Sequence, residues 1–343
     1  MKRLFDKKDF RIVRLGGTDA KGLTDHFATF RQLVLENEPA YPGIDRWFKD
    51  KVVPGLRSSE RVALVGYLKE TPVVSAVVKR GDDSKFCHLR IHDDVQDANL
   101  GEVFFALMAF ELRQIARTIH FTLPEGLWES KQDFFRSFNF CEAKKAGTQY
   151  RLFENELSCR APFQAIWSAV LEKLPKLSNR FSIGKYSMEN SLLMSVRPEF
   201  SKKLLSGTKT IEVRKKFSLK WIGHRVTLYS SHPDKCLVGE ASVDKIVVGH
   251  PNFIWSEFGN ELGCTEQQFL AYTNGTDSVY AIVVADVLPY RERIPLAQIS
   301  QIIGTDLMPP QSYCSVEKNE PWAKAVSIAA MLHSTHHTSS KAI

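Results

Sequence analysis

The sequence has no apolar run approaching the roughly eighteen residues a membrane-spanning helix needs, and no apolar stretch behind its basic start, MKRLFDKKDF. These absences lead to the expectation of a soluble, unexported, cytoplasmic protein with no membrane partner. Cys87, Cys141, Cys159, Cys236, Cys264 and Cys314 include no Cys-x-x-Cys pair and lie at no zinc-ligand spacing from histidine, so they are expected to be reduced core residues. His333, His336 and His337 crowd into LHSTHHTSSKAI, whose composition predicts a disordered tail over 334–343. No metal site is expected.

What is present is ample apolar material and an uneven charge. The 343 residues are 43% hydrophobic, enough for two packed cores. The formal charge of +7 is concentrated late: residues 1–156 carry 25 basic and 23 acidic side chains, the remainder 21 and 16. Between Ser201 and Arg225 the cations Lys202, Lys203, Lys209, Arg214, Lys215, Lys216, Lys220 and Arg225 stand against Glu212 alone, with Phe217 and Trp221 among them. Cations neutralise phosphates and aromatics stack on bases, so this is a candidate footprint for a polyanion; a solvated lysine-rich face is the alternative.

FRIVRL (10–15), RVALVGYL (61–68), TPVVSAVVKR (71–80) and KFCHLRIHD (85–93) predict a meander of strands. Leu100 to Ala116, with Val103, Leu107, Phe110 and Gln114 at helical intervals, predicts a long core helix. A strand at 118–123, a helix at 128–138 and more strand at 142–153 follow. APFQAIWSAVLEKL carries Phe163, Ile166, Trp167, Val170, Leu171 and Leu174 on one stripe, an amphipathic connecting helix, and PKLSNRFSIGKYSMENS reads as linker. Many short strands with little helix then predict a small barrel. The expected fold class is α+β, with a mixed sheet and helices over 1–156, a connecting helix and linker over 157–189, and a small β-barrel over 190–333.

In TIEVR, alternation sends Ile211 and Val213 to the core and sets Thr210, Glu212 and Arg214 on a surface or pocket face. Lys209 lies in the turn after Gly207. A lysine beside a carboxylate can hold phosphate or carbonyl oxygens, or serve as a base once desolvated; an ion-paired strand end is the plainer reading.

Gly207 to Arg214, GTKTIEVR, resembles the G-x-K-x-x-E-x-R signature of ASCH domains, a PUA-like β-barrel family, and the likeness extends over about 190–320 through LLMSVRPEFSKKLLSG, VTLYSS, CLVGEASV, TEQQFLAY, VYAIVV and MPPQSY. The resemblance implies a cleft for RNA or a modified nucleoside. Some small members hydrolyse the acetyl amide of N4-acetylcytidine with a lysine, a threonine and a glutamate. Lys209 matches the lysine and Glu266 the glutamate, while Glu212 stands where the threonine would be. Lys209, Glu212 and Glu266 are thus the catalytic candidates, and Lys209, Arg214, Lys215, Lys216, Trp221 and Tyr229 the ligand-binding ones.

Ahead of the long helix, VQDANLGEVFF sets Gln96, Asn99 and Gly101 in the pattern Q-x-x-N-x-G, which resembles the Q/R-x-x-G-x-G/A loop of GNAT acetyltransferases. There, backbone N–H groups at a helix N-terminus hold the pyrophosphate of acetyl-CoA. Trp128 to Phe140 resembles the family's N-x-x-A-x-x-F-Y-x-x-x-G-F element, with Trp128, Phe135 and Asn139 replacing its asparagine, tyrosine and glycine. The resemblance implies acetyl-CoA as cofactor, held by Gln96, Asn99, Leu100 and Gly101. Acceptor-side candidates are Glu36, Glu38, Tyr41 and Asp45. The combined expectation is acetyl transfer to RNA, a nucleotide or an RNA-associated protein; the competing ones are a non-catalytic RNA-binding protein on a retired GNAT scaffold, and an amidohydrolase of N4-acetylcytidine-like nucleosides.

Overall fold

The computed structural model describes residues 5–6, 9–16, 22–37, 41–98, 100–147, 154–178, 181–182 and 191–337. The chain divides into two compact units, residues 1–177 with 334–343, and residues 178–333. Both are α+β.

Unit 1 is built on a mixed sheet. β1 (Phe10–Leu15), β2 (Arg61–Leu68), β3 (Thr71–Lys79) and β4 (Asp83–Ile91) form an antiparallel meander. β5 (Thr118–Pro124) joins β4 in parallel, and β7 (Glu156–Pro162) lies between β5 and β6 (Ala143–Lys145). β2 and the middle of β3 are covered on both faces, which is why they read as continuous apolar runs rather than as alternation. Phe30 of α1 (Gly22–Leu35) and Phe48 and Leu56 of the helical stretch 44–57 pack on Leu15, Ala63 and Val65. On the other face lies α2 (Leu100–Leu112), whose Phe104 comes so near Gly66 that a Cβ there would meet the ring at 2.6 Å.

α2 stops short of the predicted Ala116. Arg113 turns back over the Phe110 ring at 3.8 Å and donates to the Phe110 carbonyl at 2.9 Å, satisfying an acceptor at the helix end. α3 (Glu125–Arg136) and α4 (Phe163–Ser178) follow. Trp167 of α4 packs on Phe110 at 6.2 Å, so β7 and the predicted connecting helix both belong to unit 1. The strand Thr335–His337 pairs in parallel with β1, so this part of the tail is ordered by pairing where disorder was expected. Residues 338–343 lie outside the described residues. All six cysteines are free, and Cys141 is exposed rather than in the core.

β4 and β5 pair only from Asp83–Thr118 to Lys85–His120, and then part. A staple holds the closed end: Asp83 accepts from Thr118 Oγ1 at 2.6 Å and from both Arg160 amino groups at 2.5 and 2.9 Å, with His120 Nδ1 at 3.1 Å. Burial alone would raise the Asp83 carboxyl, but the hydrogen bonds from Thr118 and Arg160 and the charge of His120 outweigh it and bring it from 3.8 to about 2.

In unit 2, β8 (Leu192–Val196) runs parallel to β10 (Arg225–Ser230), which pairs antiparallel with β11 (Cys236–Gly249), and β11 with β12 (Val279–Pro295). β9 (Ile211–Arg214) and β13 (Tyr313–Ser315) form the two edges. Three register shifts let the long β11–β12 ribbon bend. The sheet curls until Arg214 on one edge donates to the Ser195 carbonyl on β8 at 2.7 Å and to Ser312 Oγ at 3.3 Å, closing a half-barrel. Its interior holds Leu192, Met194, Val226, Leu228, Val243 and Ile282. A second core, with Ile211, Ile254, Leu262, Phe269 and Ala281, lies beneath α6 (Pro251–Phe258) and α7 (Glu266–Thr273); α5 (Pro198–Leu205) precedes the signature turn. Among the described residues, no helix is long and apolar enough to cross a membrane.

Because its folded carboxyl titrates below its unfolded one, Asp83 contributes stability above pH 3.8 that is lost as the pH falls toward about 2. Thermal melts should give Asp83→Asn a lower Tm than the wild type at pH 7, with a gap that closes over this acid window. A gap independent of pH would contradict the staple.

Candidate functional site

The signature lies inside the fold. Opposite residues of an antiparallel pair share a face, and Glu212 stands opposite Ile282, so Glu212 and Arg214 turn toward the barrel interior while Ile211 faces the core under α6 and α7. Both faces of β9 are therefore covered, and Lys209, Glu212 and Arg214 are 5%, 7% and 8% exposed. The trio thus lies inside the fold rather than on an open surface.

Glu212 holds both cations, with Oε2 3.3 Å from Lys209 Nζ and Oε1 2.9 Å from Arg214 Nη2. Lys209 Nζ also donates to the carbonyls of Ile211 at 2.6 Å and Leu262 at 2.7 Å. Two of the three ammonium donors go to these carbonyls, and Glu212 lies at ion-pair distance. Beside it, Lys203 Nζ donates to the Gly263 carbonyl at 2.6 Å and the Thr210 N–H to the Glu261 carbonyl at 3.1 Å. Gly263 has φ +66°, and a Cβ there would come within 2.9 Å of Lys209 Cβ, so the loop 259–265 sits directly on the lysine stem.

That loop shapes a polar groove of about 540 Å³ lined by Trp255, Ser256, Glu257, Asn260, Cys264 and Glu266 among others. Glu266 is exposed and opens α7, whose N-terminus is closed by a Thr265–Gln268 capping box. The structure thus separates the catalytic candidates: Lys209 and Glu212 form a buried pair supporting the loop, and Glu266 lines the groove. Sequence reasoning missed the loop, since nothing in NELGCT signals that its carbonyls are acceptors for the signature. Burial raises the Cys264 thiol against the opposing charges of Lys209 and Lys203.

The basic footprint is also redistributed. Arg225 is buried against Glu240, which accepts from Tyr290 Oη at 2.6 Å. Trp221 is buried in the barrel core and Tyr229 is 3% exposed, so neither offers a face for stacking, contrary to expectation. Lys202, Lys215, Lys216 and Lys220 are exposed. The MPPQSY element docks on β8, where the Pro310 carbonyl accepts from Ser195 Oγ at 2.5 Å.

In unit 1, Gln96 lies in a 3-10 turn, Asn99 is outside the described residues, and Leu100 and Gly101 form the first turn of α2. Leu100 is buried and cannot touch a ligand by its side chain. Glu102, which brings negative charge to this end, lies 3.4 Å from Lys173. Among the acceptor-side candidates, Asp45 is paired with Arg31 at 2.7 Å and Lys49 at 2.5 Å, and Glu36 with Arg90 at 3.5 Å. Tyr41 packs against the Phe30–Phe48 core, and Glu38 lies outside the described residues. A group that no motif flagged stands nearby: His88 Nε2 is 2.8 Å from Ser75 Oγ, with Trp47 packed on its ring at 6.4 Å. Cys87 bulges out of the β3–β4 register just before it. Burial and then the Arg90 charge hold the His88 imidazole down at about 4, so it is neutral at pH 7. Phe135, at the tyrosine position, is stacked on Trp128 at 5.7 Å.

Residues 191–308 match a family described as a domain of unknown function, DUF365. A protein of Zymomonas mobilis named as an ASCH domain-containing ribonuclease is 35% identical over 140 residues, 41% of this chain and 93% of that protein. The chain belongs to the ASCH family through its second unit. The crystal structure of ASCH from Zymomonas mobilis aligns at 35% identity over 40% of this chain and 95% of that one, with a TM-score of 0.37. A Desulfovibrio desulfuricans protein named as a GNAT-family acetyltransferase aligns at 11% identity over 45% of this chain and 99% of its own, with a TM-score of 0.35.

Removing the carboxylate that both buried cations share should be costly. Glu212→Ala is expected to lower the unfolding free energy of unit 2 by about 3–5 kcal/mol in urea denaturation, and a loss below about 1 kcal/mol would contradict the buried triad.

Proposed function

We propose that the chain joins an acyl-CoA-dependent N-acetyltransferase unit to an ASCH unit that binds RNA or a modified nucleotide, the second selecting the target of the first. The acceptor is then RNA, a nucleotide or an RNA-associated protein. The observation that carries the RNA half is the polar groove over the clamped loop 259–265, in a unit related along nearly its whole length to a protein named as a ribonuclease. Lys209 acts here as a positioning residue, and its burial between two carbonyls and the Glu212 carboxylate favours this over the amidohydrolase reading.

The acyl-CoA half is supported by the parting of β4 and β5 beside α2 and by Lys173, which offsets the negative charge of Glu102 at the end of α2 where a pyrophosphate would rest. His88, set beside Ser75 Oγ past the bulge at Cys87, is the candidate residue to orient an acceptor amine. One observation favours a non-catalytic scaffold instead: Phe135 brings no hydroxyl to protonate a leaving thiolate, and its ring is spent on Trp128.

Calorimetry separates the two. Acetyl-CoA should bind saturably to the full chain and fail to bind Gly101→Glu; a Cβ at Gly101 meets nothing nearer than Phe134 at 3.8 Å, so the variant should fold. No binding to the wild type would leave unit 1 as a scaffold. For unit 2, RNA affinity should fall with salt, log K declining with a slope of about −0.7 for each phosphate neutralised on a single strand. A salt-independent affinity would contradict phosphate contact.

A further inference from the structure

The eight cations of 202–225 do not act together. Lys209, Arg214 and Arg225 are buried in ion pairs, and Lys203 is spent on the Gly263 carbonyl. Of the exposed remainder, Lys220 lies over Trp221, whose ring is buried. Lys215 alone is set against an exposed aromatic: its Nζ lies 5.7 Å from the Tyr272 ring centroid and donates to the Asn274 carbonyl at 3.3 Å. Tyr272 is 44% exposed because Phe269 and Thr273 take the inward positions of α7. Lys216 follows directly and is exposed, and neither lysine meets a carboxylate among the described residues.

We infer that Tyr272, Lys215 and Lys216 form a stacking platform for single-stranded RNA, with a base on the Tyr272 ring and the adjoining phosphates on the two lysines. This rests on the RNA reading of unit 2 and assigns it a surface that the sequence had given to Trp221 and Tyr229. An aromatic face takes any unstacked base, and a duplex hides its base faces, so the platform selects single strands by state rather than by sequence. Lys215 is already held between a ring and a helix-end carbonyl, so ordering it on binding costs little. The lysines supply the charge complementarity, and the ring distinguishes a nucleic acid from other polyanions.

The test is fluorescence anisotropy with the full-length protein and a labelled, unstructured ten-nucleotide RNA of mixed sequence. Tyr272→Ala should weaken binding about 5- to 100-fold and Tyr272→Trp should retain it. Lys215→Gln should weaken binding and reduce the salt slope by about 0.7. Phe253→Ala, which removes a ring that is 50% exposed with no lysine over it, should change nothing. A ten-base-pair RNA duplex should bind more weakly than the single strand. Wild-type affinity in Tyr272→Ala, or equal affinity for the duplex, would overturn the platform while leaving RNA binding by unit 2 intact. No binding of either RNA to the wild type would overturn the RNA reading and the platform with it.

Discussion

Unit 2 is organised around one carboxylate buried between two cations. Taking Glu212, Lys209 and Arg214 out of water is expensive, and mutual attraction offsets that only if the remaining donors find acceptors. They find them: Lys209 in the carbonyls of Ile211, on β9 itself, and of Leu262, Arg214 in the Ser195 carbonyl and Ser312. The bonds to Leu262, Ser195 and Ser312 tie β9 and the turn before it to segments distant in sequence. The lysine fixes the floor of the groove and the arginine brings the two edges of the sheet together, so the signature specifies an arrangement of loops. Its residues read as chemistry in sequence because buried and reactive charges use the same residue types.

Unit 1 solves the converse problem of keeping two neighbouring strands apart. A parallel pair normally zips along its length, yet β4 and β5 are pinned only at their start by the Asp83, Thr118 and Arg160 cluster. Past that point the bulge at Cys87 alters the course of β4 and delivers His88 beside Ser75 and Trp47. A sheet that opens beside the N-terminal end of a buried helix can admit a ligand between its strands without unfolding them. This geometric basis for the acyl-CoA reading is independent of the loop motif that first suggested it.

The α+β class, the ASCH resemblance and the course of most strands were legible in the sequence, because period-two alternation and the spacing of GTKTIEVR are local properties. The burial of Glu212 and Arg214 was not, since alternation says that two residues share a face but not whether a barrel closes over it. Arg225 counted as free charge because its partner Glu240 lies on the next strand, and no local pattern couples them. Trp221 and Tyr229 looked like stacking groups for the same reason, and Tyr272 was overlooked because TEQQFLAY reads as an ordinary amphipathic helix. His88 had no motif at all and emerges only where the bulge, Ser75 and Trp47 converge.

On this reading Lys209 builds the groove rather than reacting in it. Amide hydrogen exchange on Lys209→Met, which keeps the length of the side chain and removes its charge, tests this most directly. If the lysine holds the loop, exchange should be faster across 259–265, with β10 and β11 still protected. Unchanged protection in that loop, together with loss of whatever activity unit 2 has on RNA, would contradict it and assign the lysine to the chemistry.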